Sequence, residues 1–134
     1  MYLVVTNIFL EVMLSRSKKE SCKDFLNLLK TGKKTGFVTE FSLYSIMLIM
    51  AGFAKEKELR IFLSSLSAYK GLSIYTSTLA EKVKAVDISL NSGLDVDDSI
   101  QYSAALSLDV KGIVSFDKHF DGLEIPRVEP QDLK

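Results

Sequence analysis

Tyr2-Leu3-Val4-Val5-Thr6-Asn7 is the stretch on which the fold turns. An unbroken apolar run with no polar alternation suits a strand buried on both faces, the pattern of a parallel sheet. Thr6 and Asn7 then break the run, and both residue types favour helix starts. A short helix over Ile8–Leu14 is the expected continuation. The chain thus opens as strand, break and helix, and that order of elements recurs downstream.

Ser17-Lys18-Lys19-Glu20 has the spacing of a capping box and predicts a second helix to about Lys30. After the basic turn Thr31–Gly36, Phe37-Val38 reads as a second strand. Thr39 can then cap a third helix that begins at Glu40 and ends near Gly52. Phe53–Ser67 reads as a fourth helix, with Leu59, Phe62, Leu63 and Leu66 on one face. Leu72–Tyr75 is a third strand, and Thr76 or Ser77 starts a fifth helix that stops at Asn91-Ser92-Gly93. Asp95 is placed to cap a sixth helix through Leu108. Gly112–Ser115 is a fourth strand and Ile125–Val128 a short fifth. Strands alternating with helices predict a parallel sheet covered on both faces, and right-handed crossovers make that a three-layer α/β/α sandwich in one domain, 1–134.

Composition narrows the function classes. The 134 residues carry 17 Lys plus Arg and 17 Asp plus Glu, a formal charge of zero that argues against a broad electrostatic grip on nucleic acid. It leaves room for a basic rim around an acidic pocket. Apolar residues make up 47% of the chain and charged residues 25%, as in an ordinary folded domain. Cys22 is the one cysteine. It cannot form an internal disulfide, and with no signal peptide in view a reducing cytoplasm is expected. At helical spacing from Phe25, Leu26 and Leu29, Cys22 reads as a buried structural thiol. The most apolar stretch, Ile46–Ala54, is shorter than the ~20 residues needed to span a bilayer.

In open parallel sheets, ligands bind beyond the carboxyl ends of the strands. Acids fall there in three places. Glu40 follows strand two, Asp97 and Asp98 open the sixth helix, and Asp117 follows strand four. Adjacent helical residues point ~100° apart, so one of the Asp97/Asp98 pair can face a common centre; Asp98 is the candidate, with Asp97 in an outer shell. Clustered carboxylates repel one another unless a cation neutralises them. Hard oxygen donors without a His or Cys cluster select Mg²⁺ or Mn²⁺ over zinc. Such ions support phosphodiester hydrolysis by activating water and stabilising the leaving oxygen. Asn7 can position water or a ligand, and Ser115 can hold a carboxylate or phosphate oxygen. Each acid also has a plainer reading: first-turn acids commonly serve helix starts, and Asp117 can cap the turn before His119-Phe120.

These segments resemble the PIN-domain family, in particular the VapC-type toxins of prokaryotic toxin–antitoxin pairs. Val4-Val5-Thr6-Asn7-Ile8-Phe9-Leu10-Glu11 is similar to the family's opening strand-to-helix segment. Asp97-Asp98-Ser99-Ile100-Gln101-Tyr102-Ser103-Ala104-Ala105 resembles its third acidic motif, and Ile113–Phe120 its fourth. Ile125-Pro126-Arg127-Val128 resembles its closing strand. The resemblance implies a five-stranded parallel sheet and a metal-dependent endoribonuclease. It places Glu40, Asp98 and Asp117 at the family's second, third and fourth acidic positions, as ligands of Mg²⁺ or Mn²⁺. It adds Asn7 and Ser115 as polar site residues, an RNA substrate, a small antitoxin partner and a homodimer.

The departure is at Val5, where the family's first catalytic Asp ends strand one. Valine neither ligates a metal nor accepts a hydrogen bond, and losing one preorganised electrostatic group costs ~10²–10³ in rate. A weakened or inactive nuclease is therefore expected, the alternative being a degenerate PIN-fold module that binds RNA or a protein partner. Phosphoacceptor receivers and haloacid-dehalogenase-type phosphatases share the acidic α/β layout, but both need an aspartate at the same strand end. Among lesser features, His119 reads as a surface turn residue, with substrate contact beside Asp117 as the lesser alternative. The lysines at 18, 19, 23, 30, 33 and 34 read as a solvated helix face or an RNA path. Ile46–Met50 reads as core, or, if part is exposed, as a homodimer seam or antitoxin groove.

Overall fold

The computed structural model describes residues 1–133. Five strands, β1 (Tyr2–Val4), β2 (Gly36–Thr39), β3 (Leu72–Tyr75), β4 (Gly112–Val114) and β5 (Arg127–Val128), form one sheet in the order β3-β2-β1-β4-β5. Every pairing is parallel. Six helices cover the sheet as a three-layer α/β/α sandwich: α1 (Thr6–Met13), α2 (Lys19–Thr31), α3 (Glu40–Gly52), α4 (Glu56–Ser65), α5 (Leu79–Ser92) and α6 (Val96–Leu108). β1 is the central strand, with Leu3 and Val4 fully buried. Its continuous apolar run follows from having a neighbour on each edge and a helical layer on each face.

The strand order reverses at β1, since β2 and β3 run outward on one side and β4 and β5 on the other. This topological switch point opens a crevice beyond the carboxyl ends of β1 and β4, the place where α/β sheets bind ligands. Val5 lies at the end of β1, and Asp117 just past β4.

Several helix starts differ from the sequence expectation. The Ser17–Glu20 capping box does not form: α2 starts at Lys19 with Lys18 as N-cap and no side-chain cap bond, while the Ser21 hydroxyl donates to the Lys18 carbonyl. α4 begins at Glu56, not Phe53, because Ala54 adopts a left-handed conformation (φ 55°) that interrupts the helix. α5 begins at Leu79, and its cap is neither Thr76 nor Ser77 but Thr78, whose Oγ1 accepts from the Glu81 amide at 3.2 Å. Asp95 holds the N-cap position of α6 without a side-chain cap bond. Thr39 caps α3 as read, accepting from the Ser42 amide at 3.0 Å. α1 begins at Thr6, and its N-cap is Val5, which has no oxygen to offer the helix.

Gly71 is required by close approach. A Cβ there would stand 2.1 Å from the Lys34 carbonyl oxygen, and the residue ties the basic turn to the sheet by donating to Leu29 O and accepting from the Gly36 amide. The core gathers Phe9, Phe25, Phe120, Ile8, Leu29 and Ile113 on both sides of the sheet's centre. Cys22 is buried there, and burial pushes its thiol up to about 11, with the Glu11 carboxylate adding to the effect. Ile46 and Met50 are core, but Leu48 is 76% exposed and Ile49 also reaches solvent. No helix among the described residues is long and apolar enough to cross a membrane.

Candidate metal centre

The crevice at the switch point brings together Asp98, Asp117 and His119. One donor atom from each lies within 4.8 Å of the others. Asp98 comes from the first turn of α6, and Asp117 from the segment after β4. His119 Nδ1 stands 2.9 Å from Asp117 Oδ1 and 3.7 Å from Asp98 Oδ2. Burial raises the Asp98 carboxyl above the ordinary aspartate range, and the Asp117 charge pushes the same way. His119 opposes that shift, while Asp95 and Asp97 add to it. These are the electrostatics of a pocket short of positive charge.

Asp117 is held by its own turn. The Ser115 hydroxyl oxygen accepts from the Asp117 amide at 2.9 Å. Asp117 Oδ1 in turn accepts from the His119 amide at 2.9 Å, so Asp117 caps the short helical turn Lys118–Phe120 as well as facing Asp98. The capping and the site readings of Asp117 are therefore both realised. Ser115 is buried, and its oxygen serves the Asp117 backbone.

Glu40 stands apart. Its Oε2 accepts from the Thr76 hydroxyl at 2.6 Å, and it lines a separate cavity of about 410 Å³ with Tyr44, Tyr75, Lys82, Val86 and Ile100. The bonds from Thr76 and then Tyr44 hold its carboxyl below the usual range. The reason lies in helix geometry. Ser42 is two residues on, roughly 200° around α3, and Ser42 is the residue turned inward to accept from Thr6 of α1 and Gln101 of α6. On that helix Glu40 bonds Thr76 and is not among the three clustered donors.

Those inward contacts form a buried polar network that sequence reasoning missed. The Thr6 hydroxyl donates to Ser42 Oγ at 3.0 Å, Gln101 Nε2 donates to the same oxygen at 2.6 Å, and Thr39 donates to Gln101 Oε1 at 3.2 Å. Gln101 lies three residues after Asp98, on the same face of α6. Its anchoring fixes the rotation of α6, and with it the direction of Asp98. A sequence signal existed: a Gln inside an apolar helix must find partners if buried.

His119 was also missed as a member of the cluster. It is 72% exposed, as a surface turn residue should be, yet its ring folds back over the carboxylates. The signal available was its position two residues after a turn-capping Asp. Asn7 is exposed in the first turn of α1, and Asp97 is exposed beside Asp98. Three of the six lysines lie over aromatic rings. Lys18 lies over the Phe116 ring at 4.8 Å, Lys30 over Tyr69 at 5.5 Å and Lys34 over Tyr2 at 6.0 Å.

The donor set of two carboxylates and one imidazole fits a divalent cation in charge and spacing, and Val5, 7% exposed and apolar, supplies nothing to it. The site sits at the switch point of a parallel α/β sheet, and comparison with known proteins identifies the family. The PIN domain family matches residues 2–125, and the chain belongs to that family. Solved structures share the fold at low identity. A toxin–antitoxin complex from Klebsiella pneumoniae is 17% identical over 97% of this chain and 98% of that one, with a TM-score of 0.72. VapC20 of Mycobacterium tuberculosis, a sarcin-ricin-loop-cleaving toxin, is 10% identical over 97% and 100% of the two chains, with a TM-score of 0.79. VapBC2 of Rickettsia felis, bound to a promoter DNA fragment, is 17% identical over 96% and 97%, with a TM-score of 0.69. A comparison with curated protein sequences gave no match.

Proposed function

We propose that this chain is a PIN-type, divalent-metal-dependent endoribonuclease of the VapC toxin kind, with cleavage weak or absent because Val5 ends β1. The observation that carries the reading is the Asp98–Asp117 pair at the switch-point crevice. Mg²⁺ or Mn²⁺ held by those carboxylates would supply an activated water and charge stabilisation for the leaving oxygen. The chain's own residues set the rest. Gln101 fixes the α6 face that presents Asp98, Ser115 and the Lys118–Phe120 turn fix Asp117, and Asn7 is exposed at the rim to contact RNA.

The test compares this chain with its Val5→Asp variant for Mn²⁺-dependent cleavage of a structured RNA. Gain of at least about 10² in rate on restoring the acid is expected. Inactivity of both forms, with the variant folded, would leave the second reading, which Val5 itself favours: a PIN-fold module that binds RNA or a protein without cutting.

A small antitoxin is the partner that the toxin–antitoxin complexes with this fold support. The chain pairs with a second copy through the face around the 410 Å³ cavity. There Leu79, Val83, Val86 and Leu90 form an exposed stripe on α5, and Tyr44 and Leu48 stand out from α3. Glu40 and Lys82 put opposite charges on that one face, which suits a two-fold contact in which each copy offers both.

A further inference from the structure

The site has two acids where a ligand set needs more, and it has an imidazole beside them. Ligands around a six-coordinate ion at about 2.1 Å stand roughly 3.0 Å apart when adjacent and 4.2 Å when opposite. His119 Nδ1 lies 2.9 Å from Asp117 Oδ1 and 3.7 Å from Asp98 Oδ2, so the imidazole stands from each carboxylate at the spacing of a shared coordination sphere, and all three donors lie within 4.8 Å of one another. The His119 backbone is held beside the same carboxylate, because its amide donates to Asp117 Oδ1. Nδ1 of this exposed histidine is thus turned over two carboxylates, while Val5 offers the site no donor.

We propose that His119 is the third protein ligand of the divalent cation in this chain, and that its nitrogen turns the site from Mg²⁺ towards transition-metal ions such as Mn²⁺. Mg²⁺ prefers all-oxygen shells and gives up water reluctantly, whereas transition ions gain from an imidazole. The inference rests on the divalent-ion reading of the site but not on RNA cleavage.

Direct metal titration of the intact chain by calorimetry, with Mn²⁺ and Mg²⁺ in parallel, tests it. In the unaltered chain Mn²⁺ binds at least about tenfold tighter than Mg²⁺, and in His119→Ala the Mn²⁺ affinity falls by about tenfold or more while Mg²⁺ changes little, so the preference collapses. His119 is the one histidine, so its ring signals in NMR are unambiguous. Substoichiometric Mn²⁺ broadens them first. Its exposure makes misfolding of the variant a minor concern, and an unchanged melting temperature checks the fold. Equal binding of the two ions by the unaltered chain, a Mn²⁺ preference that survives His119→Ala, or no uptake at millimolar Mn²⁺ overturns the proposal. RNA cleavage by Val5→Asp together with intact Mn²⁺ binding by His119→Ala would keep the nuclease and remove only the histidine ligand.

Discussion

Arg127 Nη1 donates a 3.0 Å hydrogen bond to the Ser115 carbonyl, joining β5 to the segment that carries Asp117. The same guanidinium bonds Asp121 and Glu129, each at 2.7 Å, so the closing strand clamps the turn on which half of the carboxylate pair sits. Its side chain is 13% exposed, which gives these contacts more weight than a surface ion pair has. Arg127→Ala should cost about 1–3 kcal/mol in urea unfolding. Metal affinity should fall with it, because Asp117 loses its support. An unchanged unfolding midpoint would show that the clamp is incidental.

The Glu129 carboxyl is held below its usual range, first by the bond from Arg127 and then by that from Gln131. A carboxyl that is more acidic in the folded chain stabilises it above the unfolded glutamate range, and that contribution disappears as pH falls through the lowered value. Glu129→Gln should therefore lower Tm near neutral pH by about 1–3 °C, given the pair's partial exposure. The gap to the unaltered chain should close on acidification. A gap that widens in acid would reverse the assigned sign.

Glu40 belongs to the Thr76 contact and the cavity face, not to the carboxylate cluster. In calorimetric titrations with Mn²⁺, Glu40→Gln should stay within about twofold of the unaltered chain, whereas Asp117→Asn should lose about tenfold or more. Comparable losses in both would place Glu40 at the ion after all.

Gln101 serves Ser42 and Thr39 at once, in a setting where both hydroxyls are buried. Gln101→Leu keeps the volume but strips those groups of their partner, at a cost of about 1–3 kcal/mol measured by urea unfolding. The freed rotation of α6 should also weaken metal binding through Asp98. Loss of stability with full metal affinity would separate the network's packing role from its positioning role.

Val83 lies mid-stripe on α5 and is exposed. Val83→Glu should turn a two-copy species into a monomer in analytical ultracentrifugation, with Tm changed by no more than about 2 °C because the side chain is outside the core. Swapping charges at Glu40 and Lys82 singly should weaken pairing, and the double swap should restore it. A monomeric unaltered chain would end the homodimer reading.

The sequence by itself determined the architecture. Short apolar runs alternating with longer helical patterns read as strands of a parallel sheet, so the sheet and the sandwich were legible from Tyr2 to Val128, although the edge strand β3 leaves Ile74 exposed. It also determined that Val5 sits at a strand end with no carboxylate, and the structure adds that Val5 is the uncapped start of α1. Helix edges at Lys19, Glu56 and Leu79 were less legible, because caps depend on local backbone choices such as the left-handed Ala54. Which acids meet was decided only by tertiary structure. Convergence depends on the rotation of each helix, and that rotation is set by contacts between residues far apart in the chain, such as Thr6 with Ser42 and Ser42 with Gln101. Asp98 joins the donor cluster, and Glu40 faces Thr76 across the separate cavity. A two-residue turn brings His119 back over Asp117, a placement that no periodicity in the sequence records.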